Sequence, residues 1–306
     1  MGGKVKIVEV GPRDGFQSIK NFIPTEIKLN AIDKIINSGL NKIQITSFVS
    51  PKAIPQMKDS RELAEECLER YPNVELFALV PNLYGAKTAM EVGLKEVSIV
   101  VSLSETHNRA NVNKSIEDSI NEIDNILQSC SELSITVDIA TAFGCPFEGE
   151  MQVEDLLKLI EKIGKLGINS FTICDTIGIA YPSQVKNIFE SIKKEFPNMR
   201  FGAHIHDTRN MGILNSYIAI KNGVNSVQSS IGGLGGCPFA PGASGNTSSE
   251  DLVYALNKDG YDTGINFDVL LDAAKYTKEN IVGNYSGHHI NIENSKFIMG
   301  KIKYIK

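Results

Sequence analysis

The sequence predicts an α/β fold, a (β/α)8 TIM barrel carrying additional C-terminal helices. Three observations lead there. Short β-branched runs alternate with longer amphipathic segments from one end of the chain to the other, which implies parallel strands joined by right-handed crossovers. The strand-like runs number eight and begin roughly 22 to 38 residues apart, the repeat that a closed barrel needs. Polar and ionisable residues also gather just after those runs, where a barrel places its chemistry.

Taken in order, the strands are expected at 6–10 (KIVEV), 42–48 (KIQITSF), 74–80 (VELFALV) and 96–103 (EVSIVVSL). They continue at 134–142 (SITVDIATA), 170–176 (SFTICDT), 200–206 (RFGAHIH) and 225–233 (NSVQSSIGG). The helical patterns between them carry their own punctuation. TEIKLNAIDKIINSGL opens on Thr25, an expected N-cap, and spaces Ile27, Leu29, Ile32, Ile35 and Ile36 along one face. VEDLLKLIEKIGKLG closes on Gly167 as a C′ glycine, and YPSQVKNIFESIKKEF has Pro182 in its first turn. An open doubly wound sheet is the alternative, but the turn after its first strand usually reads GxGxxG, whereas here it is GPRDGF. No low-complexity linker divides the chain. A single domain over 1–306 is expected, with the barrel over about 4–250 and a helical extension over about 250–306.

Composition narrows the function. With 306 residues, 42% hydrophobic and 22% charged, the chain is an ordinary globular protein. A net charge of −5 argues against a protein that coats nucleic acid. No apolar run reaches the roughly 20 residues needed to cross a bilayer. The N-terminal MGGKVKIVEV enters a strand pattern directly, with no signal-peptide core, and Lys6 stands where a myristoylation motif wants Ser or Thr. The five cysteines, Cys67, Cys130, Cys145, Cys174 and Cys237, are dispersed and form no CxxC pair. A reduced, cytoplasmic protein is expected.

Among five histidines, His204 and His206 stand one residue apart, so on a strand they project to the same face. Asp207 follows them. The strand ends add Arg13 and Asp14, Thr46 and Ser47, Asn82, Ser104, Glu105 and His107, Thr141, and then Asp175 and Thr176. Asp14, His204, His206 and a neutral amide such as Asn246 form a nitrogen and oxygen donor set without thiolate. Such a set suits Mg²⁺ or Mn²⁺ with positions left for substrate oxygens, whereas zinc would more readily take sulfur or a third histidine. Arg13, next to Asp14, offers a fixed cationic fork to an enolate or carboxylate oxygen. The stretch GGLGGCPFAPGASGN (232–246) sets Cys237 in a glycine-dense loop, a place for a mobile lid that delivers a proton.

Several stretches together resemble 3-hydroxy-3-methylglutaryl-CoA lyase: VGPRDGFQ, ITSFVSPKAIPQM, SETHNRANVN, FGCPFEG, DTIG, HIHDT and the glycine-rich cysteine loop. The resemblance spans about residues 4–275, within a barrel superfamily that also contains isopropylmalate, citramalate and homocitrate synthases. The cysteine loop is the part shared with the lyases and not with the synthases. The resemblance implies a divalent metal on Asp14, His204, His206 and Asn246, with Glu250 behind them. It implies a retro-Claisen cleavage of a 3-hydroxyacyl-CoA to acetyl-CoA and a keto acid, in which Arg13, Asp14, His204 and Cys237 do the chemistry. Substrate contacts are expected at Gln17, Lys20, Gln44, Asn82 and Thr176, with SETHNRANVN near the CoA thioester. A homodimer is expected. The other readings are a condensing enzyme of the synthase type and a non-catalytic binding relative. Three positions depart from the family pattern: Ile19 and Gln44 stand where glutamate is usual, and Gln228 stands where aspartate is usual. Gln for Glu keeps size and hydrogen bonding but cannot act as a base.

Overall fold

The computed structural model describes residues 2–236 and 245–292. Its eight strands are β1 (Lys6–Glu9), β2 (Lys42–Ser47), β3 (Glu75–Leu79), β4 (Glu96–Ser102), β5 (Ser134–Ala140), β6 (Ser170–Asp175), β7 (Arg200–Ile205) and β8 (Ser226–Ser229). All pair in parallel, in chain order, and β8 closes on β1 from Lys6↔Ser226 to Glu9↔Ser229. The eight expected strands are therefore all present, and the sheet is closed.

Strand alternation sorts the side chains. On β5, Ile135, Val137 and Ile139 are buried in the layer between sheet and helices, while Asp138 and Ala140 line the cavity inside the barrel. The same parity points Ile43 and Ile45 outward on β2 and leaves Gln44 to the interior.

The helices are α1 (Thr25–Asn37), α2 (Ser60–Arg70), α3 (Leu83–Glu91), α4 (Glu105–Val112), α5 (Ile116–Ser129), α6 (Val153–Gly164), α7 (Pro182–Glu195), α8 (Gly212–Lys221), α9 (Ser249–Lys258) and α10 (Phe267–Asn280). Two expected caps differ in detail. Pro24, in extended conformation, takes the N-cap position of α1, and the Thr25 hydroxyl instead donates to Asp59 Oδ2 at 3.0 Å. Its side chain fastens α1 to the segment after β2 and does not cap its own helix. On α6 the C-cap is Lys165; Gly167 follows with φ +100° and its N–H donates to the Gly164 carbonyl. Pro182 does open α7. After β8, α9 supplies the eighth surrounding helix, and α10 packs against α1.

Candidate active site and metal centre

β1 delivers Arg13 and Asp14 through a tight π-helical turn, Gly11–Gly15, in which the Val10 carbonyl accepts the N–H groups of both residues. Such wide turns recur at functional sites because they re-aim side chains at the end of an element. The turn rests on Glu9. This fully buried carboxylate accepts the Gly11 N–H at 2.7 Å, the Ile231 N–H at 2.8 Å and the Ser249 hydroxyl at 2.5 Å. It thus ties the ends of β1 and β8 to the start of α9. Burial pushes its pKa up to about 7 against the pull of those donors. Sequence inspection missed Glu9; the available signal was a charged residue inside the apolar run KIVEV.

β7 brings His204 and His206 to the same mouth. Their Nε2 atoms lie 3.1 Å apart, and ligand atoms of Asp14, His204 and His206 all fall within 4.8 Å of one another. His204 Nδ1 donates to Gln228 Oε1 at 2.8 Å, which turns the Nε2 lone pair toward Asp14 and His206. Asn246 donates from Nδ2 to Asp14 Oδ2 at 2.8 Å, while its buried Oδ1 has no partner among the described residues. A buried oxygen in that state is open to a water or a cation. A Cβ on Gly235 would sit 2.5 Å from Asn246 Nδ2, so only glycine lets the chain pass behind this amide.

The electrostatics agree with a cation site. Burial alone would raise the Asp14 carboxyl, but Arg13, His204 and His206 outweigh it and hold the pKa at about 2. Burial, then the neighbouring His204, lowers His206 to about 4, so its ring is neutral and able to ligate at neutral pH. The donor set is one carboxylate, two imidazoles and one amide oxygen, which fits a hard or borderline divalent cation.

Arg13 is held from two sides. Its Nη1 pairs with Asp14 Oδ1, and its Nε donates to Gln44 Oε1 at 2.5 Å. Nη2 has no partner among the described residues. Gln44 in turn donates from Nε2 to Ser98 Oγ at 2.8 Å. A cavity of about 530 Å³ opens over these groups, lined by Arg13, Asp14, Gln17, Asn82, Thr176, His204 and His206 among others. Asn82 also caps α3 through the Gly85 N–H, and Thr176 accepts the Thr141 N–H at 2.7 Å. Thr141 has φ +59, an uncommon conformation for a β-branched residue and one that clusters at functional sites. Gln44 lies behind Arg13 and does not line the cavity. Lys20 is exposed and is not among the lining residues; Cys237 lies outside the described residues. Glu250 is buried beneath the turn after β8, where its Oε2 accepts the Gly232 N–H at 2.9 Å.

The HMGL-like family model matches residues 4–276. The chain belongs to the HMGL-like family. Among curated relatives it is 40% identical over 278 residues to hydroxymethylglutaryl-CoA lyase YngG of Bacillus subtilis, covering 90% of this chain and 93% of that one. It is also 40% identical over 275 residues to the mitochondrial hydroxymethylglutaryl-CoA lyase of Homo sapiens, covering 89% and 84% respectively. Among solved structures, an HMG-CoA lyase from Acinetobacter baumannii in complex with coenzyme A and 3-methylmalate superposes with TM-score 0.91 at 34% identity, covering 97% of each chain.

Within this HMGL-like protein the three departures noted in the sequence have separate structural roles. Gln44 and Gln228 are inside the barrel, where they orient Arg13 and His204. Ile19 packs on an apolar cluster of Phe16, Ile23, Leu234 and Ile281. It is part of the packing beside the turn after β1.

Proposed function

We propose that the chain is a divalent-metal-dependent carbon–carbon lyase that cleaves 3-hydroxy-3-methylglutaryl-CoA, or a close analogue, to acetyl-CoA and a keto acid. The observation that carries this reading is the convergence of Asp14, His204 and His206 beside Arg13 in one cavity. The Bacillus and human relatives are named for that activity, which supports the same substrate class. Asp14, His204 and His206, with Asn246 Oδ1, would hold Mg²⁺ or Mn²⁺, which supplies Lewis-acid polarisation of substrate oxygens.

The chain's own residues then divide the work. Gln228 fixes the His204 ring, so the cation ligand needs no reorganisation. Arg13, locked through Nε and Nη1, keeps Nη2 for the thioester oxygen on which enolate charge develops. Gln17, Asn82 and Thr176 line the cavity where the acyl-CoA would lie. Cys237, on its glycine-rich loop, would hand a proton to the enolate carbon. Lys20, exposed beside the turn, would meet the CoA portion.

The same reading makes the protein a cytoplasmic homodimer. Four cysteines among the described residues are buried and free of disulfides, which suits a reducing compartment. No helix among the described residues is long and apolar enough to cross a membrane. The test is a panel of 3-hydroxyacyl-CoA thioesters incubated with Mg²⁺ or Mn²⁺, with products read by mass. Release of acetyl-CoA and a keto acid is expected. Failure to cleave any member, or net synthesis of a 2-hydroxy diacid from acetyl-CoA and a 2-oxo acid, overturns the lyase reading.

A further inference from the structure

Asp138, on β5, is a carboxylate in the cavity that the metal site does not employ. It is 4% exposed, lines the cavity, and its Oδ1 has no hydrogen-bond partner among the described residues. Two parallel arms reach toward it. Gln44 Nε2 donates to Ser98 Oγ at 2.8 Å, and Gln228 Nε2 donates to Thr172 Oγ1 at 3.3 Å. Each hydroxyl oxygen accepts a hydrogen bond from an amide N–H, so its own O–H is left to donate to Asp138 between them. The two positions where the family pattern has carboxylates are therefore amides that donate to Ser98 and Thr172, the two hydroxyls that flank a carboxylate located elsewhere.

We propose that Asp138 accepts the proton of the substrate's 3-hydroxyl during carbon–carbon cleavage. This rests on the lyase reading given above.

Elimination within the cavity supports the assignment. The carboxylates among the described lining residues are Asp14, Glu122 and Asp138. Asp14 is committed to Arg13 and the cation site, and Glu122 pairs with Lys114 at 2.6 Å. The Gln44 and Gln228 amides have no basic site. Burial keeps the Cys174 thiol protonated, its pKa well above the ordinary value. His107 is engaged with Ser102 Oγ at 2.7 Å on the α4 side of the cavity. The charged or titratable groups that face Asp138 are Arg13 from the turn after β1, Cys174 from β6 and His204 from β7. Burial raises the Asp138 carboxyl, opposed by Thr172, Arg13, His204 and Ser98, so it is a stronger base than an ordinary aspartate.

In the step, the 3-hydroxyl O–H bond breaks and its proton passes to Asp138 Oδ1. The oxygen pair becomes the new C=O π bond, and the C2–C3 bond breaks. Its electrons move into the thioester as an enolate, against Arg13. The enolate carbon then takes one proton, for which Cys237 is the donor in the proposed function, to give acetyl-CoA. Asp138 returns its proton to solvent as the keto product leaves, and the thiolate of Cys237 recovers one, so no net proton is consumed.

The experiment compares wild type with Asp138→Asn and Asp138→Ser on 3-hydroxy-3-methylglutaryl-CoA with Mn²⁺, in single turnover and by equilibrium binding. The expected result is a fall in cleavage rate of about 10² to 10⁴ with Mn²⁺ and thioester affinities within about threefold of wild type. A rate within about threefold of wild type in either variant overturns the proposal. Loss of thioester affinity at unchanged rate overturns it too, as does loss of Mn²⁺ binding in both variants, since Asp138 would then be a contact or a structural residue. Wild-type protein that releases acetyl-CoA from no 3-hydroxyacyl-CoA of the panel overturns the lyase reading itself, an outcome distinct from the others.

Discussion

His204 Nδ1 lies 2.8 Å from Gln228 Oε1 across the β7–β8 pair, where the two residues are in direct register. An amide oxygen can only accept, so the imidazole proton sits on Nδ1 and the lone pair on Nε2. That is the tautomer a cation ligand requires. A carboxylate at position 228 would do the same with a stronger hydrogen bond; glutamine does it without adding a charge to a site that already holds Asp14 and Asp138.

Removing this contact should cost metal affinity. Gln228→Leu keeps approximate volume but leaves His204 free to rotate and to exchange tautomers. Mn²⁺ binding, followed by isothermal titration, is expected to weaken about 10- to 100-fold, with the melting temperature little changed. Unaltered Mn²⁺ affinity would show that the ring is oriented by something else.

His204→Ala and His206→Ala should each abolish stoichiometric Mn²⁺ binding. Both side chains stand at the catalytic end of the barrel, where residues contribute to function more than to core stability. The metal-free variants are accordingly expected to melt within a few degrees of metal-free wild type. Retained stoichiometric binding in both would remove the cation from this site.

How far the sequence disclosed these features depends on their physical signal. The strands were legible because a closed parallel sheet is buried on both faces, and that demands apolar, β-branched runs such as EVSIVVSL. The His204/His206 pair was legible because period-two spacing defines a face. Depth along the barrel has no such signal. Gln44 and Gln228 therefore stood out in the sequence as departures from the family pattern, but not as residues inside the barrel that orient Arg13 and His204. Ile19, the third departure, is part of the Phe16–Leu234–Ile281 packing. Asp138 passed unremarked in SITVDIATA, since one polar residue in a strand marks an inward position but not what converges on it.

Glu9 gives the fold a pH dependence of definite sign. Its folded pKa, about 7, lies above its ordinary value of 4.5, so the folded state binds the proton more tightly. The corresponding stability is fully present below about pH 4.5 and is lost as pH rises through about 7. By linkage the loss is on the order of 3 kcal/mol. Glu9→Gln keeps an oxygen for the Gly11 and Ile231 N–H groups and offers an amide N–H to Ser249. The variant should melt higher than wild type at about pH 8, and the advantage should shrink progressively toward about pH 4.5. A melting difference independent of pH would mean that Glu9 is not the titrating group.

Position 44 tests whether the carboxylate inside this barrel has in effect been moved. Gln44 now accepts from Arg13 and donates to Ser98, and the Ser98 proton is thereby left for Asp138. A glutamate at 44 would still bind Arg13, but it would claim the Ser98 proton for itself. Two buried carboxylates would then compete for one hydroxyl. Unit charges about 4 Å apart at an effective dielectric of about 20 repel by about 4 kcal/mol, so the arrangement is strongly disfavoured. Gln44→Glu alone should therefore lower kcat/KM on 3-hydroxy-3-methylglutaryl-CoA by at least about tenfold, with a lower melting temperature. In Gln44→Glu/Asp138→Asn the repulsion disappears and one carboxylate remains, at the position the family pattern assigns to glutamate. The double variant should cleave faster than Asp138→Asn alone, a coupling of opposite sign to simple additivity. If the two losses instead multiply, positions 44 and 138 act independently, and the carboxylate at 138 is not a replacement for the one missing at 44.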